Sequence, residues 1–271
     1  MSSSPFFSIV IPLYNKESAL RTTLDSCFSQ KFKDYEVVVV DDGSTDGSVS
    51  AVKECTDERV VLIEQENSGP SAARNCGGKA AKGEWIVFLD ADDLLLPDAL
   101  SNFHKLVTTY PDINAFCCNF YVEREGEEML YSDKYKNGIV RNNFFSWLTK
   151  RLMPRTGALC LRRSVFLQSP FNESLRRYED AEMLFKLFRR EKFVTCSHPV
   201  MVNRLSFRAA SGIRKNINED FVWSVEVKGK FWEKVACYEL FMKREVDYKL
   251  KVNHNFFFDT VVLFLRLLQK L

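Results

Sequence analysis

The stretch GEWIVFLDADDLLLPD, residues 83–98, decides the fold class. Its centre, residues 85–89, is an unbroken apolar run of β-branched and aromatic side chains that reads as a strand, and it runs directly into Asp90-Ala91-Asp92-Asp93. A strand that is apolar at every position, rather than at alternate ones, is covered on both faces, as parallel strands of α/β domains are. Working outward, residues 8–13 (SIVIPL), 36–40 (EVVVV) and 60–63 (VVLI) have the same character, and a fifth strand follows at 114–122 (NAFCCNFYV). Helix candidates fill the intervals at about 17–29, 47–54, 70–81 and 97–109. Turn residues introduce the second and fourth, and Pro97 stands in the first turn of the fourth. Strands alternating with helices predict an α/β domain on a mostly parallel sheet.

The later chain differs in character. Residues 123–143 turn polar, with Gly126 and Gly138, and read as a hairpin or loop covering one sheet edge. Residues 141–163 carry six basic side chains (Arg141, Lys150, Arg151, Arg155, Arg162, Arg163) and no acidic one. This run is either a solvated surface or an attraction for a phosphate-bearing acceptor. Residues 179–190 form an amphipathic helix with Met183, Leu184, Leu187 and Phe188 on one face. From residue 219 the pattern is helical, and ten of the thirteen positions at 256–268 are apolar. We therefore divide the chain into a domain at 1–215 and a helical extension at 216–271. The extension packs on the domain, contacts a second copy in a homodimer, or lies peripherally on a membrane.

The 271 residues are 46% hydrophobic and 27% charged, with 38 Lys and Arg against 36 Asp and Glu. These figures exclude disorder and a disulfide scaffold, and a formal charge of +2 argues against a nucleic-acid-coating role. The eight cysteines show neither a CxxC pair nor zinc-ligand spacing, and read as reduced core thiols. The opening MSSSPFFSIVIPLYNK lacks a basic leader region, and nothing approaches 18 consecutive apolar residues, so a cytoplasmic, non-spanning protein is expected. On that expectation the sequon at Asn172 is a chance match.

In an open α/β sheet, ligands bind at the carboxyl ends of the strands. Two predicted strands end there in acid, at Asp41-Asp42-Gly43-Ser44 and at Asp90-Ala91-Asp92-Asp93. Either cluster alone could be a turn or a helix N-terminus. Both at one edge would repel each other without a cation or ligand. Alternating carboxylates offer a hard cation two oxygen ligands and leave room for phosphates, which suits Mg²⁺ or Mn²⁺ better than zinc.

SIVIPLYN (8–15), VVVVDDGSTDGS (37–48), QENSGPSAARNCG (65–77) and the opening stretch occur in the order and spacing of a known family. The chain resembles family 2 glycosyltransferases of the GT-A fold, closely over the first 110 residues and more weakly to about residue 211. The resemblance implies a nucleotide-sugar donor, first of all a UDP-sugar, and a glycan or lipid-linked acceptor in bacterial surface-polysaccharide synthesis. It places Pro12 and Tyr14 at the nucleotide base, Asp42 as an acceptor of hydrogen bonds from the base, and Arg74 near the nucleotide. Asp90 and Asp92 become the DXD pair, with Asp92 the direct metal ligand. Asp180, beside Glu179 at the start of the amphipathic helix, becomes the base that deprotonates the acceptor in an inverting displacement. Its competing reading is favourable charge at a helix N-terminus. Arg204, with Arg208 and Ser211, resembles a diverged phosphate-side loop that lacks the histidine expected after it, and a solvated basic loop is the competing reading. A non-catalytic member of the fold is the alternative from a different class. A sugar-phosphate nucleotidyltransferase fits less well, because 11–15 (IPLYN) holds no glycine.

Overall fold

A computed structural model describes residues 4–175, 178–207, 230–248 and 261. In chain order these form β1 (Phe7–Leu13), α1 (Glu17–Phe28), β2 (Tyr35–Asp41), α2 (Ser48–Lys53), β3 (Val60–Glu64), α3 (Pro70–Ala80), β4 (Trp85–Phe88), β5 (Leu94–Leu95) and α4 (Ala99–Thr109). There follow β6 (Ala115–Arg124), β7 (Glu127–Leu130), β8 (Gly138–Ile139), α5 (Asn143–Leu148), β9 (Leu159–Arg162), α6 (Arg163–Gln168), α7 (Glu179–Arg190), β10 (Phe193–Arg204), a 3-10 turn (Leu205–Phe207) and α8 (Phe231–Tyr248).

The four apolar runs of the first half lie parallel in the order β3-β2-β1-β4. Their uniform hydrophobicity has a direct cause, because alternate side chains enter two separate cores. Val10, Val38, Val40, Ile86 and Phe88 face one, and Ile9, Ile11, Val37, Val39, Trp85 and Val87 face the other. Each such side chain removed from water contributes about 1.5–3 kcal/mol, so polar residues are tolerated only where strands end. α3 lies close on β1 and α6. A Cβ added at Gly77 would stand 2.4 Å from Val10, and one at Gly78 would stand 2.1 Å from Phe166. The glycines of the ARNCGG segment are what permit this approach.

The sheet has the expected predominance of parallel pairing, with antiparallel strands added in its second half. Beyond β4 it continues β9-β6-β10-β5, and β9 runs antiparallel to both β4 and β6, joining the two halves. β6 and β10 are parallel to each other. β9 and β10 escape the sequence reading for physical reasons. β9 is four residues long and lies inside the basic run, while the pairing of β10 with β6 shifts register between Cys196 and Val202, around Pro199, which interrupts its alternation. Leu94 and Leu95 pair with β10, so α4 begins at Ala99 and Pro97 stays outside it. The polar 123–143 segment contains the expected hairpin. β6 and β7 turn through Glu125 (φ 55°) and Gly126 (φ 84°), the left-handed pair that two-residue hairpins favour.

All eight cysteines are free, but only five are buried; Cys55, Cys76 and Cys196 are half-buried. α8 packs on the domain through its first half, with Val235, Ala236, Cys237 and Leu240 buried, Trp232 4.6 Å from Phe145 ring to ring, and Glu233 accepting from Arg189 Nε at 2.8 Å. The boundary at 215, Arg208, Ser211 and, apart from residue 261, the apolar 256–268 segment lie outside the described residues. Among the described residues, no helix is long and apolar enough to cross a membrane.

Candidate functional site

β1, β2 and β4 end at one edge, where a cleft of about 680 Å³ opens. Pro12, Tyr14, Lys16, Asp42, Arg74, Asp90 and Asp92 all line it. Tyr14 is 49% exposed there, directly after an otherwise buried strand. Its ring is thus presented at the cleft as an open stacking surface.

Asp42 is 3% exposed, and its carboxylate already has partners within the chain. Oδ1 accepts from Gln65 Nε2 and Ser68 N, and Oδ2 from Gly69 N, each at 2.8 Å. It therefore fixes the 65–69 loop that leads into α3, a part beyond the base contact expected of it. Asp41 similarly accepts from the backbone of Gly43 and Ser44.

Arg74, on α3, reaches two carboxylates. Nη2 donates to Asp90 Oδ1 at 2.9 Å and Nη1 to Glu179 Oε1 at 3.3 Å, while the guanidinium lies 5.3 Å from the Phe171 ring. Burial alone would lower the Arg74 pKa, but Asp90 and Glu179 outweigh it and hold it above its ordinary value. Burial acts against the charged form of Asp90 too, yet Arg74 prevails and keeps that carboxyl below the usual range. Thr156 Oγ1 donates to the second oxygen, Asp90 Oδ2, at 3.0 Å. Glu179 is pushed up by burial and by the neighbouring Asp180 charge, more than Arg74 draws it down.

Asp92 pairs with Lys16, whose ammonium stands 2.5 Å from Oδ2. Asp93 points the other way. It is 1% exposed, accepts from Asn203 Nδ2 and from Arg204 N at 2.9 Å each, and is raised to about 7 by burial and by Asp90. Arg204 is 6% exposed, which removes the solvated-loop reading. Its guanidinium donates to Asp92 O at 2.5 Å, Thr22 Oγ1 at 2.8 Å and Thr23 Oγ1 at 3.2 Å, bracing α1 against the Asp90–Asp93 turn.

A second cavity, of about 380 Å³, adjoins the cleft and shares Arg74 and Asp90 with it. Phe88, Trp147, Met153, Phe171, Leu184 and Leu240 form apolar walls, and Arg155, Thr156, Tyr178, Glu179 and Asp180 supply the polar groups. Tyr178 adopts the left-handed conformation (φ 55°) just before α7. Asp180, in the first helical turn, is exposed, and its Oδ1 accepts from Ala181 N at 2.7 Å.

Asp90 and Asp92 are hard oxygen donors, and Asp92 Oδ1 has no hydrogen-bond or ion-pair partner among the described residues. That donor set fits Mg²⁺ or Mn²⁺. Among the described residues, no three His, Cys, Asp or Glu side chains gather closely enough to hold an ion by themselves. A bound cation would depend on further ligands from outside the described residues, such as a diphosphate. Lys16, Thr156 and Asn203 are site residues to which sequence reasoning assigns no role, and of these only Lys16 carries a signal, standing three residues beyond the end of β1 in PLYNK. Glu179 is legible in the sequence as the acid beside Asp180, and Arg155 as one of the basic run, but not their places in the second cavity.

The family model described as glycosyl transferase family 2 matches residues 8–210. The chain belongs to glycosyltransferase family 2. It is 31% identical over 196 residues to the minor teichoic acid biosynthesis protein GgaA of Bacillus subtilis (strain 168), covering 69% of this chain and 44% of that protein. It is 40% identical over 126 residues to the glycosyltransferase GlyA of Streptococcus pneumoniae serotype 4, covering 46% and 18%. The chain thus spans less than half the length of both relatives. Among solved structures, S. aureus TarS 1–349 in complex with UDP-GlcNAc superposes with a TM-score of 0.66 at 21% identity, over 78% of this chain and 61% of that one. The mannosyltransferase PcManGT from Pyrobaculum calidifontis, in complex with GDP-Man and Mn²⁺, gives 0.58 at 24% identity, over 78% and 59%. These likenesses establish the GT-A fold for this family 2 member.

Proposed function

We propose that this family 2 member transfers a sugar from a nucleotide-diphosphate donor, a UDP-sugar, to a hydroxyl of a glycan or lipid-linked acceptor, with inversion, in the synthesis of a bacterial surface polymer. The observation that carries the reading is the pair of adjoining cavities with Arg74 and Asp90 in their common wall and Asp180 in the second. UDP and UDP-GlcNAc in the TarS complexes support the donor class, and the teichoic acid role in the name of GgaA supports the acceptor class.

The donor's base stacks on Tyr14 in the first cavity, beside Pro12, with the loop held by Asp42 beneath it. Arg74 and Lys16 face the diphosphate. The acceptor hydroxyl enters the second cavity, and its oxygen attacks the anomeric carbon as the bond to the diphosphate breaks. The proton goes to the carboxylate of Asp180, which lines that cavity. The electron pair stays on the departing diphosphate. Asp92, with Asp90, would hold a divalent cation that neutralises this developing charge. Arg204 acts at one remove, by bracing the turn that presents Asp92.

Thermal unfolding with UDP, GDP, CDP and dTDP, each with and without Mn²⁺, tests the reading. A ligand at about 100 times its Kd adds ~2.7 kcal/mol, a rise of several degrees at this size. UDP alone should give that rise, it should need Mn²⁺, and Asp92→Ala should abolish it. No shift with any nucleotide would leave a non-catalytic member of the fold.

A further inference from the structure

The six basic residues of the 141–163 run have different fates. Arg162 pairs with Glu84 at 2.6 Å and lies 4.7 Å from the Trp85 ring. Arg163 donates to the carbonyls of Gly78 and Lys79, and Arg151 stands 5.9 Å from the Phe145 ring. Arg141 lines a different surface pocket, and Lys150 sits in a left-handed turn after α5. Arg155 alone of the six lines the second cavity. No hydrogen bond or ion pair reaches its guanidinium from the described residues, and its Nε is buried without a partner.

This placement is built in. Thr156 is tied to Asp90, Gly157 N donates to Phe88 O, and Ala158 N donates to Arg155 O at 2.9 Å. Gly157 holds φ 84°, and a Cβ there would stand 2.6 Å from Met201 Sδ. On the other side Met153 N donates to the Tyr135 hydroxyl at 2.8 Å, so the chain around Arg155 is pinned while no hydrogen bond or ion pair holds its charged end. A buried donor without a partner calls for one, and a guanidinium fork matches the paired oxygens of a carboxylate or phosphate. Arg155 does not line the nucleotide cleft, where Lys16 and Arg74 already supply positive charge. Of the three acids in the second cavity, Asp90 and Glu179 are paired with Arg74, and Asp180 is the base of the proposed reaction. The Arg155 charge is felt by Asp90 and Asp93, but neither reaches it in a hydrogen bond or ion pair.

We propose that Arg155 selects the acceptor, so that the second cavity takes an acceptor whose anionic group, a phosphate ester or a carboxylate, docks on Arg155 while its hydroxyl faces Asp180. The inference rests on the transferase reading above and deepens it. At about 380 Å³ the cavity lies near the lower end of small-molecule sites, the size of one sugar or alditol unit rather than a chain.

The test is titration followed by ligand-observed NMR, with and without saturating UDP. The probes are glycerol 3-phosphate, methyl β-glucuronide and the uncharged methyl β-glucoside. The wild type should bind one anionic probe at least tenfold tighter than the glucoside, and the anion preferred names the acceptor's class. Arg155→Gln should remove the difference while leaving UDP affinity within twofold. Arg155→Lys keeps the charge but loses the fork, guards against a folding failure in the first variant, and should reduce the preference severalfold. Wild type that binds UDP without preferring an anion overturns the proposal and leaves the donor reading standing. So does a preference unchanged in both variants. Equal loss of UDP affinity in Arg155→Gln moves Arg155 to the donor and overturns it as well. Wild type that binds no UDP fails the transferase reading itself, and the acceptor assignment falls with it.

Discussion

Every residue lining the first cleft falls between Pro12 and Asp92, whereas the neighbouring cavity draws its walls from residues spread between Arg74 and Leu240. The two volumes share a wall and serve one proposed reaction, yet they are assembled differently. Parallel strands deliver their carboxyl ends to one edge, so the cleft is made of short contiguous motifs at predictable places. The second cavity is enclosed by helices, a pinned turn and a C-terminal helix that meet only in the folded chain. The first kind of site is written locally, and the second is written by packing.

That contrast has measurable consequences. Asp180→Asn belongs wholly to the second cavity, and should lower kcat by about 10²–10⁴, the usual worth of a positioned base. Its UDP affinity, from titration calorimetry, should stay within about twofold, since the carboxylate lies outside the cleft. A parallel loss of UDP binding would mean that the cavities do not act separately. Arg74→Met removes a buried cation from the shared wall and leaves the half-buried Asp90 and Glu179 without the guanidinium that bridges them. Urea unfolding should show a loss of about 3–5 kcal/mol. A loss below about 1 kcal/mol would show that each cavity holds its shape without the other. Tyr14→Ala concerns the cleft alone. UDP affinity should fall about tenfold, in line with ~1–3 kcal/mol for one stacked base. The melting temperature and kcat at saturating donor should both hold, because the ring is 49% exposed and outside the second cavity.

The same contrast explains what could be read before any coordinates. The strands of the first half were legible because burial on both faces makes every residue apolar, and Asp42, Asp90 and Asp92 were legible as acids ending them. The partners of those acids were not. Lys16 meets Asp92 across 76 residues of sequence, Thr156 meets Asp90 across 66, and Arg74 meets Glu179 across 105. No periodicity encodes such meetings. The basic run was visible as a run, but only packing separates Arg162, paired with Glu84, from Arg155, unpaired in a cavity. Arg204 could be read as an arginine near the phosphates or as a solvated one, and its burial under the Asp90–Asp93 turn depends on β10, the strand whose bulge hid it.

β9 gives the molecule a history as well as a shape. Its four residues pair with β4 on one side and β6 on the other. While the chain is being synthesised, the β3-β2-β1-β4 half can assemble from its first 88 residues, but β4 remains an edge strand until residue 162 has emerged. An exposed edge that is apolar along its length invites pairing with the wrong chain. The seam is closed by a late, short strand, so a chain that has emerged only as far as residue 158 has no native partner for that edge of β4.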